Sequence, residues 1–370
     1  MPFRHPHPDR RGLTIAEVAI ASAVMLVLLA AAIPMLGSGL LRSGVMVSAN
    51  NLRTIAAGCV AYEADWNGRV FTLMDAEMGR WPGGCTGFTN RRCPPQAVLG
   101  SDSAGGLWGY WIKGSQPSCS NFPGNCGNWP LIMPMAIGGS TGSVESASSY
   151  ATGTWQLPNV RGLREYVCAR FFDPVFYAPN DTVTTGRLQA VAFNSSAEFE
   201  ASAGSIFNFD FTSTYGLSPA AMWAPGVLRA PSQGGFQAPD SHHEAYFAPT
   251  ASMAVHPSLK TRIMEKRWCQ QPPALSVDGS TNGAAFRFNA GAQSQPGAIF
   301  FDGHVSFAAM SEYAADDADV RAGGSDGLWS RDTPYGPLGV WGSTAIGGFT
   351  ASPHLLTTDG IAGRDLTHVR

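Results

Sequence analysis

Charged side chains are scarce in this chain of 370 residues. They make up 14% of it, against about 25% in typical soluble domains. The formal charge is −3 and no basic stripe occurs, so a nucleic-acid-binding protein is not expected. Apolar residues make up 44% of the chain, which favours a packed core over global disorder. With 43 glycines and 26 prolines, the composition indicates a loop-rich globular body outside the cytoplasm.

The sequence also lacks the short motifs of common active sites: G-x-S-x-G, a Walker-type loop, or G-x-G-x-x-G between a strand and a helix. We therefore expect neither an enzyme nor a bound cofactor. The densest group of possible metal ligands is His242, His243 and Glu244. Together with His256 or His304 it could surround zinc, but it lacks the H-E-x-x-H spacing, and solvated loop residues are the favoured interpretation.

No C-x-x-C pair occurs among the seven cysteines, which argues against a zinc knuckle. Two pairs lie close together in stretches rich in glycine, proline and asparagine: Cys85 with Cys93, and Cys119 with Cys126. Two local disulfides formed in an oxidising compartment are the favoured interpretation. Cys168 with Cys269 is a weaker third pair, which would leave Cys59 unpaired in a helical segment.

Only one long apolar run is present, at residues 18–36, and it contains no charge. At about 1.5 Å per helical residue it matches the roughly 30 Å hydrocarbon core of a bilayer. Arg10 and Arg11 precede it, which places that flank in the cytoplasm and the rest of the chain outside. A secretory signal peptide is the alternative, because residues 30–34, "AAAIP", resemble a cleavage site. Glu17, which interrupts the wider apolar stretch from residue 13 to residue 36, counts against it.

The stretch "RRGLTIAE" followed by an apolar helix containing Pro34 resembles the prepilin-type cleavage and methylation signal of type IV pilins and type II secretion pseudopilins. This resemblance implies that prepilin peptidase cuts after Gly12 and methylates the new amino terminus at Leu13. Thr14, Glu17 and Pro34 match the family, whereas Leu13 stands where phenylalanine is usual.

The resemblance also implies a role for Glu17 in assembly. The freed amine of Leu13 and the carboxylate of Glu17 lie at similar membrane depth, so Glu17 of one subunit would neutralise the amine of its neighbour. Paired charges are far less costly in a bilayer than isolated ones. The alternative is that Glu17 reaches the cytoplasmic interface and the protein is a monomeric anchor.

Residues 37–66 are predicted to form an amphipathic stem helix, because Leu52, Ile55, Cys59, Val60 and Tyr62 recur at helical spacing. Residues 67–370 form the predicted head, with strand-like pieces at 162–172, 187–194, 205–216 and 284–291. The aromatic stretches 106–114 and 327–342 are interpreted as core strands, with sugar stacking as the alternative.

The strongest strand signal is "GAIFFDGHVSF" at residues 297–307, which predicts a hairpin with a two-residue turn at Asp302 and Gly303. Asp302 is expected to cap its own turn rather than bind calcium. This hairpin resembles the heads of large prepilin-like proteins of planctomycete-type bacteria, which carry a histidine about nine residues earlier. That position holds Ala292 here, so no role of that histidine is carried over.

The sequence therefore predicts an α+β protein in which a long amino-terminal transmembrane and amphipathic helix packs on an antiparallel β-sheet head. The predicted segments are a leader (1–12), a transmembrane helix (13–36), a stem (37–66) and the head. The expected function is a structural subunit, minor or at the tip, of a type II secretion pseudopilus or type IV pilus-like filament in the inner membrane. Prepilin peptidase and other pilin subunits are the expected partners. The alternative is an anchored, non-polymerising module that binds surface polysaccharide or secreted cargo.

Overall fold

The computed structural model describes residues 15–74, 76, 96–101, 107–111, 133–135, 153–167, 170–193, 212–239, 242–266, 295–333 and 353–370. The chain divides into two compact units, Met1–Met46 and Val47–Arg370. Helix α1, Ile15–Asp65, contributes residues to both units. Within the described residues, no helix combines the length and the apolar character needed to cross a bilayer. Of the predicted span 13–36, residues 13 and 14 and the side chains from 27 onward lie outside the description.

Helix α1 begins with an acid and ends with a glycine turn. Glu17 lies in its first turn, where a carboxylate interacts favourably with the helix dipole. At the other end the backbone turns left-handed at Asn67 and Gly68, with φ of 55° and 76°. The amide of Gly68 then bonds the carbonyl oxygen of Glu63 at 2.7 Å, which satisfies one of the last carbonyls of the helix.

The main sheet has four antiparallel strands in the order β3–β4–β5–β6. These strands are β3 (Tyr215–Leu217), β4 (Thr261–Glu265), β5 (Ala298–Phe300) and β6 (Val305–Ser306). A separate antiparallel pair joins β1 (Gln96–Ser101) to β2 (Leu107–Trp111), so part of the aromatic stretch 106–114 is a strand as expected. Helices together with an antiparallel sheet confirm the α+β class.

The described residues contain four further α-helices: α2 (Arg161–Arg164), α3 (Thr182–Val191), α4 (Pro219–Met222) and α5 (Met310–Ala322). Short 3₁₀ turns lie at Thr154–Gln156, Pro174–Phe176, Pro225–Val227, Pro231–Gln233, Ala251–Met253 and Gly360–Ala362. Two strand predictions were therefore wrong. Helix α2 covers the first residues of the predicted piece 162–172, and α3 covers residues 187–191 of the predicted piece 187–194. Helix α3 begins here because Asp181 caps its amino terminus. The Asp181 carboxylate accepts a hydrogen bond from the amide of Thr184 at 3.2 Å.

The predicted hairpin joins β5 to β6, with Ile299 opposite Val305. Its loop is one residue longer than predicted. The amide of Gly303 bonds the carbonyl of Phe300 and the amide of Phe300 bonds the carbonyl of His304, both at 3.0 Å, so three residues form the loop. Gly303 has φ of +90°, which glycine adopts without strain. Asp302 accepts the amide of His304 at 3.1 Å, which confirms the turn-capping role.

The core of the second unit joins the later part of α1 to the sheet. Leu52, Ile55, Cys59 and Tyr62 are buried in one cluster with sheet residues such as Ile263, Ile299 and Phe300. Val60 is 55% exposed, so its predicted place on the buried face was wrong. At about 100° per residue, Val60 lies beyond the edge of the stripe formed by Leu52, Ile55, Cys59 and Tyr62, and so faces solvent.

Candidate functional site

The predicted processing site lies at the edge of the described structure. Gly12, Leu13 and Thr14 lie outside the described residues, whereas Glu17 is in the first turn of α1. Every side chain from residue 15 to residue 26 is exposed within this chain, including large apolar ones. The exposed large apolar residues of this stretch are Ile15, Val18, Ile20, Val24, Met25 and Leu26. A helix surface of this kind is normally covered by lipid or by another protein.

Polar side chains on the later part of α1 fix it to the sheet. The Ser48 hydroxyl bonds the Tyr215 hydroxyl at 2.9 Å and also donates to the Glu265 carboxylate. Asn51 Nδ2 donates to the Tyr215 hydroxyl at 3.3 Å, and Glu265 Oε2 accepts the amide of Gly297 at 2.7 Å. Burial, together with the nearby Glu265 charge, raises the pKa of Tyr215 above its usual range. The phenol is therefore neutral and serves as a hydrogen-bonding joint between helix and sheet.

A buried ion pair forms a second joint. Arg262 of β4 donates to Glu63 of α1, with 2.6 Å between Nη2 and Oε1. The guanidinium also lies over the Phe301 ring, 5.4 Å from its centroid. Burial raises the pKa of Glu63, and the Arg262 charge offsets this only in part. A cavity of about 20 Å³ adjoins the pair and Cys59, which is room for about one water molecule.

Next to this pair, Lys260 and Asp365 form another buried pair that sequence reasoning missed. Their side chains are fully buried, and Lys260 Nζ lies 2.8 Å from Asp365 Oδ2. Lys260 also donates to the hydroxyls of Ser218 at 3.0 Å and Thr357 at 2.9 Å. Asp365 also accepts the backbone amide of Thr261, at 2.9 Å.

Three further donors complete the carboxylate's surroundings, namely the backbone amide of His354 and the hydroxyls of Thr357 and Thr261. Burial would raise the pKa of Asp365, but Lys260 and the hydroxyl donors lower it to about 2. Burial, and next the Lys260 charge, lower the pKa of His354 to about 3, so this imidazole is neutral. Serine, lysine, histidine and aspartate are residues of nucleophilic catalysis. Here each of the four is at most 1% exposed, so the cluster has a structural role.

The histidines considered as metal ligands do not converge. His243 Nε2 lies 3.6 Å from Glu244 Oε1 in an exposed pair, and His304 Nδ1 lies 2.7 Å from Asp302 Oδ1. His242 packs beside Gly226, and its partial burial lowers its pKa. In the part of the chain that the structure describes, no three histidine, cysteine or acidic residues are grouped to hold a metal ion.

Cys59 is the cysteine that lies within the described residues. Its thiol forms no disulfide and is buried in α1, as expected. Burial raises the pKa of this thiol, so it behaves as an apolar core group. The other six cysteines, and with them the predicted disulfides Cys85–Cys93 and Cys119–Cys126, lie outside the described residues. Ala292 and the strand-like piece 284–291 lie outside them as well.

An open cleft lies where α1 ends and the chain turns into the head. Its volume is about 500 Å³, within the range of small-molecule sites. Tyr62, Trp66, Phe71 and Tyr246 contribute rings to its lining, and Arg69 contributes a guanidinium. We call it the aromatic cleft. The sequence prediction missed it, because its residues come from α1, the segment after it, α2 and the loop before residue 250.

No family model, curated protein or solved structure matches this chain.

Proposed function

We propose that this protein is a structural subunit of a type II secretion pseudopilus or a type IV pilus-like filament. The observation that carries the proposal is the sequence "RRGLTIAE" directly before an apolar helix. The pilin-like arrangement would place residues 13–36 in the inner membrane and the head outside the cytoplasm. The exposed apolar side chains at the start of α1 support it, since lipid or neighbouring subunits would cover them.

Assembly is the proposed mechanism. Prepilin peptidase cleaves after Gly12, and the freed amine of Leu13 pairs with Glu17 of a neighbouring subunit. An isolated charge within a bilayer is costly, and the pairing removes that cost as subunits join. The later part of α1, bonded to the sheet through Tyr215 and Arg262, would join the stem to the head.

The size of the head supports a minor or tip subunit. Residues 67–370 form most of the chain, more than a repeating filament subunit requires for packing. Prepilin peptidase, other pilin-like subunits and the inner membrane are the proposed partners.

Mass spectrometry of the membrane-extracted protein tests processing. We expect an intact mass and an amino-terminal peptide that begin at N-methylated Leu13. A chain that begins at Met1 or just after Ala32 would overturn the proposal.

The variant Glu17→Ala tests assembly, with Ser22→Ala on the same apolar run as the matched control. We expect Glu17→Ala to be cleaved and membrane-bound but absent from sheared filaments or from cross-linked oligomers. Ser22→Ala should assemble like the parent protein. Normal assembly of Glu17→Ala would contradict the pairing mechanism.

A second candidate function is an anchored binding module that does not polymerise. The aromatic cleft favours it, because an open site of about 500 Å³ is not needed for filament packing. In that case Glu17→Ala would leave both membrane location and ligand binding unchanged, and cross-linking would detect monomers in the parent protein.

A further inference from the structure

The aromatic cleft is built from rings in fixed orientations. Trp66 stacks on Tyr62 with 5.4 Å between ring centroids and 15° between planes. Phe71 meets Tyr62 edge-on at 5.2 Å. Tyr62 and Phe71 are buried, whereas Trp66 is 53% exposed. Trp66 therefore presents apolar surface at the open rim of an apolar wall.

The wall is held in place by backbone contacts from the facing loop. The amide of Val70 bonds the carbonyl of Pro249 at 2.9 Å, and Arg69 pairs with Thr250 in an antiparallel bridge. A cleft whose lining is fixed before a ligand arrives loses little entropy on binding.

A helical glycine keeps one side of the cleft open. Gly162 of α2 lines it, and a Cβ at this position would lie 3.3 Å from Phe71 Cε2. A larger side chain at residue 162 would therefore enter the cleft.

Arg69 supplies a positive charge at this apolar site. Its Nη1 donates to the carbonyl of Ala248 at 3.0 Å, which orients the guanidinium. Among the described residues no carboxylate lies within ion-pair distance of it, while other arginines such as Arg262 and Arg321 have acidic partners. A guanidinium pairs strongly with a carboxylate because both are planar and can form two parallel hydrogen bonds.

We propose that the aromatic cleft binds a small apolar acid, with its apolar body against Trp66 and Phe71 and its carboxylate on Arg69. Sugars fit the lining less well, because a sugar needs several convergent polar groups and the cleft is mostly apolar. Binding of such an acid requires neither processing at Gly12 nor filament assembly. The binding proposal can therefore be confirmed or refuted independently of the proposed function.

Calorimetric titration of the full chain in maltoside detergent with 2-naphthoate tests the inference, with a protein-free micelle titration subtracted. We expect saturable binding of one 2-naphthoate per chain. Arg69→Gln should weaken it about tenfold or more, because a hydrogen bond to a charged group is lost. The uncharged probe 2-naphthalenemethanol should bind both proteins alike.

Two further variants make the result specific to the cleft. Gly162→Leu should abolish binding of both probes by filling the site, and leucine is a better helix former than glycine, so α2 is retained. Arg53→Gln, which removes an exposed arginine of α1 outside the cleft, should change nothing. Absence of saturable binding by the folded protein, or equal effects of Arg53→Gln and Arg69→Gln, would overturn the proposal.

Discussion

Two buried ion pairs from the same strand region differ in how their acids titrate. Asp365 pairs with Lys260, and its pKa falls to about 2. Glu63 pairs with Arg262, and its pKa is raised. Both carboxylates are removed from water, which by itself raises the pKa of an acid.

The number of hydrogen-bond donors decides the difference. Asp365 accepts from its lysine, two hydroxyls and two backbone amides. Glu63 has the Arg262 guanidinium and adjoins a small cavity. A buried charge is therefore stabilised only where its surroundings supply donors to replace water. The Lys260 pair is a fixed part of the head, while the Arg262 pair is a weaker joint between head and stem.

The largest effect is expected from Asp365→Leu. This change leaves the Lys260 ammonium buried without its partner, which should cost about 3–5 kcal/mol of the free energy of unfolding. Urea unfolding of the purified protein measures it. Asp319→Leu, at an exposed position of α5, is the control and should stay within about 0.5 kcal/mol of the parent. Equal losses from both variants would contradict the role of the buried pair.

Acid should weaken the protein through the Lys260 cluster. The folded pKa of Asp365 is below its ordinary value of 3.8, so the unfolded chain takes up this proton first as the pH falls. The loss should begin near pH 4 and reach roughly 2 kcal/mol by about pH 2, becoming complete only below both pKa values. His354, with a pKa of about 3 against 6.5, adds a loss that starts near pH 6.5.

Glu63 should act with the opposite sign, because its raised folded pKa favours proton uptake by the folded chain. Urea midpoints at a series of pH values measure the sum. In Asp365→Asn the fall between pH 4 and pH 2 should be reduced, and in His354→Gln the fall that begins near pH 6.5. Unchanged profiles in both variants would be inconsistent with this account.

A smaller effect is expected from Glu63→Gln. Glutamine keeps the shape of the side chain and can still bond Arg262, and it removes the cost of burying the carboxylate charge, so the loss near neutral pH should be within about 1 kcal/mol. The matched comparison is Asp365→Asn, which should cost clearly more. Similar losses from the two amides would remove the contrast between the pairs.

The smallest effect should come from Phe301→Leu in the hairpin loop. Leucine keeps apolar contact but removes the ring under Arg262, which should cost about 0.5–1 kcal/mol. Thermal unfolding detects a change of this size. In a protein that already carries Arg262→Met, Phe301→Leu should have no further effect on stability. That result would assign the stability change to the contact between the Arg262 guanidinium and the Phe301 ring.

Local patterns predicted the parts of the fold that depend on near neighbours. The spacing of Leu52, Ile55, Cys59 and Tyr62 identified the buried face of α1, because helical period and burial are linked. The Asp-Gly pair identified the hairpin, although its loop proved one residue longer. The strand prediction for 187–194 failed because the Asp181 cap, upstream of that piece, sets the helix.

Neither buried ion pair could be predicted, because its partners are far apart in the sequence. Lys260 and Asp365 are 105 residues apart, and Glu63 and Arg262 are 199 apart. Each is an ordinary charged residue in its own neighbourhood, and no spacing rule connects them. The aromatic cleft was missed for the same reason, since its lining joins the end of α1 and the segment after it to Gly162 of α2 and to the loop before residue 250.

The separation of Lys260 from Asp365 also orders events during synthesis of the chain. When β4 has been synthesised, Lys260 beside it has no anion with which to pair. Another 105 residues must follow Lys260 before Asp365 is added. Until then we expect the lysine to stay hydrated, because an unpaired charge is costly to bury. We therefore expect a chain cut short before Asp365 to leave this part of the sheet incompletely packed and accessible to proteases.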